Sequence, residues 1–241
     1  MKTMSQASTH AQPDNGPNTE TSGCNEGTNP FGGRTDACAK ITLDSVLAKP
    51  LPTGATIGHF TRSEKIRRFL WGVVQGTVFR YSPRRADSWR AWLLRRFGAR
   101  VGRVKLLRST VRVEVPWNIE IGDGAQIGDG VYLYSLGPIS IGDHTVVSQF
   151  CHLCAGTHDF ERTDFPLLRV PIRIGSRCWI AAETFVGPGV TIADGVVVGA
   201  RSSAIRDLPA WTICVGVPAA PRGKRYLVDR STGVRLDPHG R

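Results

Sequence analysis

His158 is the residue of this sequence best suited to proton transfer near neutral pH, because an unperturbed imidazole titrates there. It stands in the segment GTHDF, where a regular repeat of the sequence breaks off. An imidazole in such a place can act as a general base that takes a proton from a hydroxyl nucleophile. It can equally cap the start of a loop, and the sequence position alone leaves both roles open. The neighbouring carboxylate of Asp159 is a candidate to orient the ring.

Cys151-x-x-Cys154 is a second group of reactive side chains, with His152 between the two cysteines and His158 shortly after them. Thiolates and imidazoles at such short spacing can hold zinc. However, both cysteines fall on repeat positions that elsewhere carry compact residues, where cysteine behaves as a small apolar side chain. We therefore predict neither a metal site nor a thiol nucleophile. The six cysteines of the chain are too few and too scattered for a disulfide scaffold, which favours a reduced, cytoplasmic protein.

The element that must position these residues is a repeat with a period of six. An aliphatic anchor returns at every sixth position in three blocks, which begin at Ile121, Ile141 and Ile174. A compact residue usually follows each anchor. Neither a helix nor an antiparallel hairpin has this period, whereas a short strand plus a corner does, and three such units close one triangular coil. The anchors are Ile121, Ile127, Leu133, Ile141, Val147, Leu153, Ile174, Ile180, Val186, Ile192, Val198 and Ala204.

The predicted fold is all-β, a left-handed parallel β-helix with an N-terminal α-helical extension. Its parts are a disordered polar tail over residues 1–56, a basic α-helical segment over 57–100, the β-helix over 101–215 and a C-terminal tail over 216–241. The N-terminal tail is poor in aliphatic residues, so it cannot bury enough apolar surface to offset the conformational entropy that it would lose on folding. The repeat is interrupted around Gly137–Pro138 and by a loop over residues 159–173, and long excursions of this kind often carry function.

The helical segment carries the positive charge of the protein. The formal net charge is +11, and the stretch from Arg62 to Arg108 contains fourteen Lys and Arg against two acidic residues. This excess favours an anionic partner such as cofactor phosphates, an acidic polysaccharide or a lipid surface, although a solvated basic face without a partner is the alternative. No recognised motif supports nucleic-acid binding.

Two helices are predicted in this segment. Thr61 and Glu64 have the spacing of a capping box, and residues from Ile66 to Val78 recur at steps of three and four. This pattern predicts an amphipathic helix that ends near Ser82–Pro83. A shorter helix covers Asp87 to Phe97. The apolar positions of the first helix are Ile66, Phe69, Leu70, Val73, Val74, Thr77 and Val78, and those available for packing in the second are Trp89, Trp92 and Leu93.

From about residue 61 to 225 the sequence resembles the left-handed β-helix, or hexapeptide-repeat, acetyltransferases. The resemblance rests on the repeat, on the segment WIAAETFVGPGVTIADGVVVGARS and on the closing GVPAAP. The run PWNIEIGDGAQIGDGVYLYSLGPISIGDHTVVSQFCHLCAGTHDF resembles the colanic acid biosynthesis branch. The resemblance implies an enzyme that moves an acetyl group from acetyl-CoA to a saccharide hydroxyl. It also implies a homotrimer with active sites between neighbouring subunits.

The same resemblance implies roles for individual residues. His158 matches the histidine that galactoside acetyltransferases carry before their loop, and is implied to be the general base. The backbone N–H of Ala182 is implied to stabilise the oxyanion, and Tyr132, Tyr134 and Asp159 are predicted to contact the saccharide. Lys224 is an alternative to Arg222 and Arg225 as a ligand of the 3′-phosphate, and Trp179 could instead be an aromatic residue at the edge of the core. The residues implied to bind acetyl-CoA are Trp179, Ala182, Ala200, Ile205, Arg206, Arg222 and Arg225.

Two rival functions remain at this stage. A γ-class carbonic anhydrase uses the same solenoid with three histidines around zinc, and His144, His152 and His158 invite that comparison, although the spacing of the last two differs from that family. A non-enzymatic scaffold could instead sit on a membrane through its basic helix.

The membrane rival depends on the aromatic residues Phe69, Trp71 and Phe79 and their flanking arginines. The longest apolar run, Phe69–Val74, is far shorter than the roughly 20 residues that span a bilayer, so only peripheral contact at the inner face of the membrane is predicted. The alternative is that the same helix covers the open end of the β-helix and protects its edge.

Overall fold

The computed structural model describes residues 56–58, 60–228, 231–233 and 235–236. Apart from Thr56, the tail predicted to be disordered lies outside the described residues. No helix within the described ranges is long and apolar enough to cross a membrane.

The core of the protein is a parallel β-helix in which each coil gives one strand to each of three sheets, which we name the first, second and third face. The first face contains β2 (Arg100–Val101), β5 (Ile119–Ile121), β8 (Ile139–Ile141), β13 (Ile172–Ile174) and β16 (Thr191–Ile192). The second contains β3 (Leu106–Leu107), β6 (Gln126–Ile127), β9 (Val146–Val147), β14 (Trp179–Ile180), β17 (Val197–Val198) and β19 (Thr212–Val215). The third contains β4 (Arg112–Val113), β7 (Tyr132–Tyr134), β10 (His152–Cys154), β15 (Phe185–Val186) and β18 (Ser203–Ala204).

All twelve predicted anchors point into this β-helix, and none exposes more than 3% of its surface. The predicted parallel β-helix is thus confirmed. The six-residue spacing also continues upstream through the buried residues Val101, Leu107 and Val113, which form a first coil. The repeat is harder to see there because charged residues, Arg108 and Glu114, follow two of these anchors.

The compact residue after the anchor serves the stacking of coils. A Cβ atom on Gly122 would lie 2.8 Å from the backbone nitrogen of Asp143 in the next coil, and one on Gly128 would lie 2.8 Å from that of Gln149. The corners themselves turn two residues later, through a residue with left-handed φ such as Gly124 or Gly130. A small side chain after the anchor is therefore required by the close approach of the next coil rather than by the turn.

Two helices lie at the N-terminal end of the β-helix. Helix α1 (Arg62–Val74) continues into a π-helical turn (Gln75–Phe79), and helix α2 (Asp87–Arg96) follows. The capping box of α1 is present, since the Thr61 hydroxyl accepts from the Glu64 N–H and the Glu64 carboxylate accepts from the Thr61 N–H.

Side chains of both helices bind the backbone of the first coil, whose strands are the edges of the three sheets. On β4, the Trp71 indole donates to the Val113 carbonyl at 2.7 Å and Gln75 accepts from the Val113 N–H at 2.6 Å. On β3, Asp87 accepts from the Leu107 N–H at 2.7 Å and Arg90 donates to the Leu107 carbonyl at 2.5 Å.

Arg95 of α2 completes the cap on β2 by donating to the Val101 carbonyl at 2.6 Å. Side-chain partners therefore occupy backbone groups that would otherwise offer an open edge for pairing with another chain. These contacts agree with the alternative in which the segment covers the open end of the β-helix, but the apolar pattern of α1 is covered only in part. Trp71 and Phe79 are buried, whereas the side chains of Ile66, Phe69, Leu70 and Val73 are exposed.

The long interruption of the repeat contains a β-hairpin. Its strands β11 (Gly156–His158) and β12 (Leu167–Arg169) pair antiparallel, and β1 (Thr56–Ile57) adds to the outer side of β12. The predicted loop over 159–173 therefore includes a strand of its own and the beginning of β13. At the other end of the chain, β20 (Ala220–Lys224) pairs antiparallel with β19, and β21 (Leu227–Val228) pairs with β22 (Arg235–Leu236).

Candidate active site

His158 is the last residue of β11 and is exposed on the hairpin that leaves the β-helix between the third and first faces. Its Nδ1 atom lies 2.6 Å from the carbonyl oxygen of Phe165 across the hairpin. A carbonyl can only accept a hydrogen bond, so this contact places the proton of the neutral imidazole on Nδ1. The lone pair on Nε2 is then available for proton abstraction.

The turn of the hairpin supplies that carbonyl. Phe165 has a φ of 42°, in the left-handed region, and its N–H donates to the Arg162 carbonyl. Asp159, the predicted orienting residue, accepts from the N–H of Glu161 at 3.2 Å. Backbone from the far side of the hairpin, rather than the adjacent carboxylate, therefore orients the imidazole.

The outer surface of the third face carries a ladder of aromatic residues in register. Tyr132 and His152 stack with ring centroids 5.0 Å apart, and Phe185 meets the other side of His152 edge-on at 5.6 Å. Arg112 covers the free face of Tyr132 at 4.9 Å. Tyr134 lies in the next column, where its ring would touch a Cβ atom on Gly156 at 3.2 Å.

Burial sets the protonation of this ladder. It raises the pKa of Tyr132 to about 12, with a further contribution from the nearby Glu114 carboxylate, and it raises that of Tyr134. It lowers the pKa of His152, which favours the neutral imidazole. Tyrosine hydroxyls held protonated beside a neutral imidazole form a surface of uncharged donors and acceptors.

Several polar atoms on this side of the molecule are buried without a hydrogen-bond partner among the described residues. They are Nε2 of His152 and two guanidinium nitrogens, Nε and Nη2, of Arg169. Arg169 is directly opposite Gly156 in the hairpin, and its guanidinium also lies over the Phe60 ring at 4.2 Å. Unpaired buried polar groups are costly, and a bound ligand could supply the missing partners.

Glu114 is a residue of this surface that the sequence did not identify. Its carboxylate accepts from the Tyr132 hydroxyl at 3.3 Å and forms an ion pair with Arg68 of α1. Glu114 lies 20 residues before Tyr134, which is one coil, so the period of the repeat could have placed it beside the tyrosines. It was missed because the first coil was not recognised in the pattern.

Trp179 lies on the outside of the second face, half exposed, and its indole donates to the Ser148 hydroxyl at 3.0 Å. Ala182 and Ala200 lie one above the other at the corner between the second and third faces. The Ala182 carbonyl accepts from the Arg201 N–H at 2.9 Å, whereas its own N–H has no hydrogen-bond partner within the described residues. That N–H is available to an external acceptor.

The predicted basic residues differ in their surroundings. Arg206 follows Ile205 at the corner between the third and first faces, and both are exposed. Arg222 and Lys224 are exposed on β20. Arg225 instead donates to the carbonyls of Arg177 and Gly195, at 2.6 and 2.9 Å, so its guanidinium holds the chain against the corner between the first and second faces.

Within one chain, the predicted catalytic and acetyl-CoA-binding residues lie at two different edges of the third face. His158, Ile205 and Arg206 lie at its border with the first face. Ala182 and Ala200 lie at its border with the second. The third face separates the two groups, so the described chain does not bring the histidine and the predicted acetyl-CoA residues of the second-face border together by itself.

Cys151 and Cys154 belong to no metal-binding cluster within the described residues. Burial raises the pKa of Cys151 to about 11 and also raises that of Cys154, which keeps both thiols protonated. His144 lies at a corner over Gly124, away from the ladder that contains His152. Across the described ranges, no group of three His, Cys, Asp or Glu residues is placed to hold a metal ion.

The chain is similar to known acetyltransferases. It is 48% identical over 160 residues to WcaF of Escherichia coli K12, a protein named as a colanic acid biosynthesis acetyltransferase. The aligned region covers 66% of this chain and 88% of that protein. It is 28% identical over 141 residues to the galactoside O-acetyltransferase of the same organism, covering 57% of this chain and 68% of that protein. No protein-family model matches it.

Among solved structures, the chain is similar to a hexapeptide-repeat acetyltransferase of Vibrio cholerae in complex with acetyl-CoA. The identity is 25% and the TM-score 0.63, over 74% of this chain and 97% of the other.

Proposed function

Because the chain belongs to the colanic acid biosynthesis acetyltransferase family, we propose that it is an O-acetyltransferase that moves the acetyl group of acetyl-CoA to a saccharide hydroxyl in polysaccharide or glycoconjugate biosynthesis. The observation that carries the proposal is the identity of 48% across 88% of the relative. The oriented imidazole of His158 supplies the base that such a transfer requires.

In the proposed mechanism, Nε2 of His158 takes the proton of the saccharide hydroxyl as its oxygen attacks the thioester carbon of acetyl-CoA. The new C–O bond forms, the C–S bond breaks, and the imidazolium returns its proton to the CoA thiolate. Hydrogen bonding of Nδ1 to the Phe165 carbonyl holds the ring in the productive tautomer and stabilises the imidazolium. General-base catalysis of this kind contributes about 10²–10⁴-fold.

The oxyanion of the tetrahedral intermediate would be bound by the N–H of Ala182. This role is supported by the free state of that N–H within the described residues. A fixed backbone donor requires no reorganisation as charge develops on the oxygen.

His158 and the predicted acetyl-CoA residues at the second-face border would come together if neighbouring subunits of a homotrimer faced each other across a cleft. One subunit would then present His158, and the next would present Trp179, Ala182 and Ala200. Acetyl-CoA would run along this cleft with Ile205 and Arg206, and with Arg222 near its phosphates. Because the Arg225 guanidinium is already bound to two carbonyls, we assign the 3′-phosphate to Arg222 before Arg225.

The acceptor would bind on the aromatic ladder. Tyr132 and Tyr134 provide ring faces and hydroxyls, and Asp159 stands at the start of the hairpin turn. The unpaired atoms of His152 and Arg169 provide the donors and the acceptor that saccharide hydroxyls can complement.

The first test is calorimetric titration of acetyl-CoA into the protein and its His158→Ala variant, with His144→Ala as a control that removes another exposed histidine. All three should bind acetyl-CoA with similar affinity, at about one site per chain. Only His158→Ala should lose the release of CoA thiol when saccharide acceptors are added. A folded protein that does not bind acetyl-CoA would overturn the proposed function.

A further inference from the structure

We propose that the outward face of α1 docks the protein on an anionic lipid bilayer. The helix has two apolar sides rather than one. The side that contains Trp71 packs on the first coil, whereas the opposite side, formed by Ile66, Phe69, Leu70 and Val73, is open to solvent. The exposed fractions of these four side chains are 61%, 71%, 50% and 51%.

The spacing of the exposed residues makes them one continuous stripe. Steps of three and four residues place side chains above one another on the same side of an α-helix. The opposite side is fixed, because Trp71 and Gln75 are hydrogen-bonded to the edge strand β4. The stripe therefore cannot turn inward without releasing the cap of the β-helix.

The stripe is accompanied by exposed aromatic residues on α2. Trp89 and Trp92 stack with ring centroids 5.0 Å apart, and both are more than 40% exposed. The indole of Trp89 points its N–H at the Val78 carbonyl, 3.4 Å away, which joins the pair to the end of the first helical region. Tryptophan is enriched where proteins meet the membrane–water interface, because its ring is apolar and its N–H is polar.

The charge around the stripe has one sign. No acidic residue occurs from Lys65 to Ala86. The two acidic residues that flank this stretch face the protein, since Glu64 belongs to the capping box and Asp87 accepts from the Leu107 N–H. The outward surface of this stretch thus offers no carboxylate.

The basic residues from Arg62 to Arg96 divide into two sets. Arg67, Arg68, Arg90 and Arg95 bind protein groups that belong to the cap. The other set is exposed and makes no ion pair within the part of the chain that the structure describes; it consists of Arg62, Lys65, Arg80, Arg84, Arg85 and Arg96. An apolar stripe flanked by unpaired cations is the composition of a helix that lies in a membrane interface.

Charge complementarity favours lipid over a second copy of the chain. Two copies that met through this face would bring two sets of unpaired cations together, and the cores of protein interfaces are depleted in charged residues. An anionic bilayer instead neutralises the cations and accepts the apolar side chains. The surface contains none of the residues proposed for acetyl transfer, so this inference stands apart from the proposed function.

The test is flotation of the full chain with vesicles of phosphatidylcholine alone and of phosphatidylcholine mixed with phosphatidylglycerol. The protein should float with the anionic vesicles at low salt, much less at high salt because exposed charges are then screened, and not with the neutral vesicles. Failure to float with anionic vesicles, in a protein that is folded and binds acetyl-CoA, would overturn the inference and leave the acetyltransferase proposal intact.

Two variants locate the surface. Phe69→Ser/Leu70→Ser should weaken vesicle partitioning by about tenfold or more, given what burial of one large apolar side chain contributes. The matched control Val228→Ser removes an exposed apolar residue from the C-terminal region and should float like the parent protein. Arg84→Gln/Arg85→Gln should weaken flotation several-fold and reduce its salt dependence.

The oligomeric mass of each variant is measured by light scattering. A Phe69→Ser/Leu70→Ser variant that floats like the parent protein, or one whose mass falls, would overturn the inference, and a fall in mass would assign the stripe to contact between copies of the chain. An unchanged mass with lost flotation and retained acetyl-CoA binding is the expected result.

Discussion

The cap at the N-terminal end of the β-helix and the third face next to the hairpin differ in how completely their buried polar groups are hydrogen-bonded. In the cap, the fully buried Arg90 binds the carbonyls of Leu107, Pro83 and Arg84 as well as Asp87. Nε2 of His152 on the third face, and Nε and Nη2 of Arg169 on the hairpin, have no hydrogen-bond partner within the described residues. The cap satisfies its buried donors and acceptors, whereas the region proposed to bind the acceptor leaves some of them open.

The largest effect expected from this difference is on turnover. His158→Ala should lower the rate of acetyl transfer by about 10²–10⁴-fold, because it removes the proposed general base. The free energy of unfolding should stay within about 0.5 kcal/mol of the parent protein, since the side chain is exposed. The measurements are steady-state kinetics and urea denaturation. Retained activity would remove His158 from the mechanism.

The reverse pattern is expected in the cap. Arg90→Ala should lower the free energy of unfolding by about 3–5 kcal/mol, because it removes the ion-pair partner of Asp87 and the donor to the buried Leu107 carbonyl. The activity of the remaining folded protein should be close to that of the parent. Arg96→Ala on the same helix is the matched control, because its side chain is exposed. Equal stability of the two variants would show that the cap is dispensable.

A smaller effect concerns pH. Burial lowers the pKa of His152 in the folded protein, so the unfolded chain takes up a proton more readily as the pH falls through about 6.5. The folded state therefore loses stability below about pH 6.5 until the folded pKa is reached. His152→Phe should remove this part of the acid sensitivity. Denaturant titrations at about pH 8 and about pH 5 measure it, and an unchanged pH dependence would contradict it.

The smallest effect is expected at Asp159. Because its carboxylate accepts from Glu161 rather than from His158, Asp159→Asn should change the rate of acetyl transfer by less than about fivefold. A loss comparable to that of His158→Ala would mean that the carboxylate, not the Phe165 carbonyl, orients the imidazole during the reaction. The comparison of rates and of their pH profiles decides between the two.

The period of six was enough to predict the β-helix, because every coil repeats the same requirement for an inward aliphatic residue and a compact neighbour where coils stack. The capping box follows from local hydrogen bonding and was also predictable, whereas the first helix ends at Val74 and continues as a π-helical turn to Phe79, before the predicted end near Pro83. For α1, the same local reasoning predicted the apolar residues but left open what covers them. An apolar stripe in a sequence shows that one side of a helix is apolar, but not that the protein covers it.

Only the tertiary structure decided which residues that are far apart in the chain come into contact. The Phe165 carbonyl reaches His158 because the hairpin folds back on itself, and Glu114 reaches Tyr132 because they lie one coil apart. Trp71 rather than Phe69 was buried because the edge of β4 offered a carbonyl to its indole. Such pairings depend on strand register and on the direction in which an element faces, and these are fixed by packing of the whole chain rather than by local propensity.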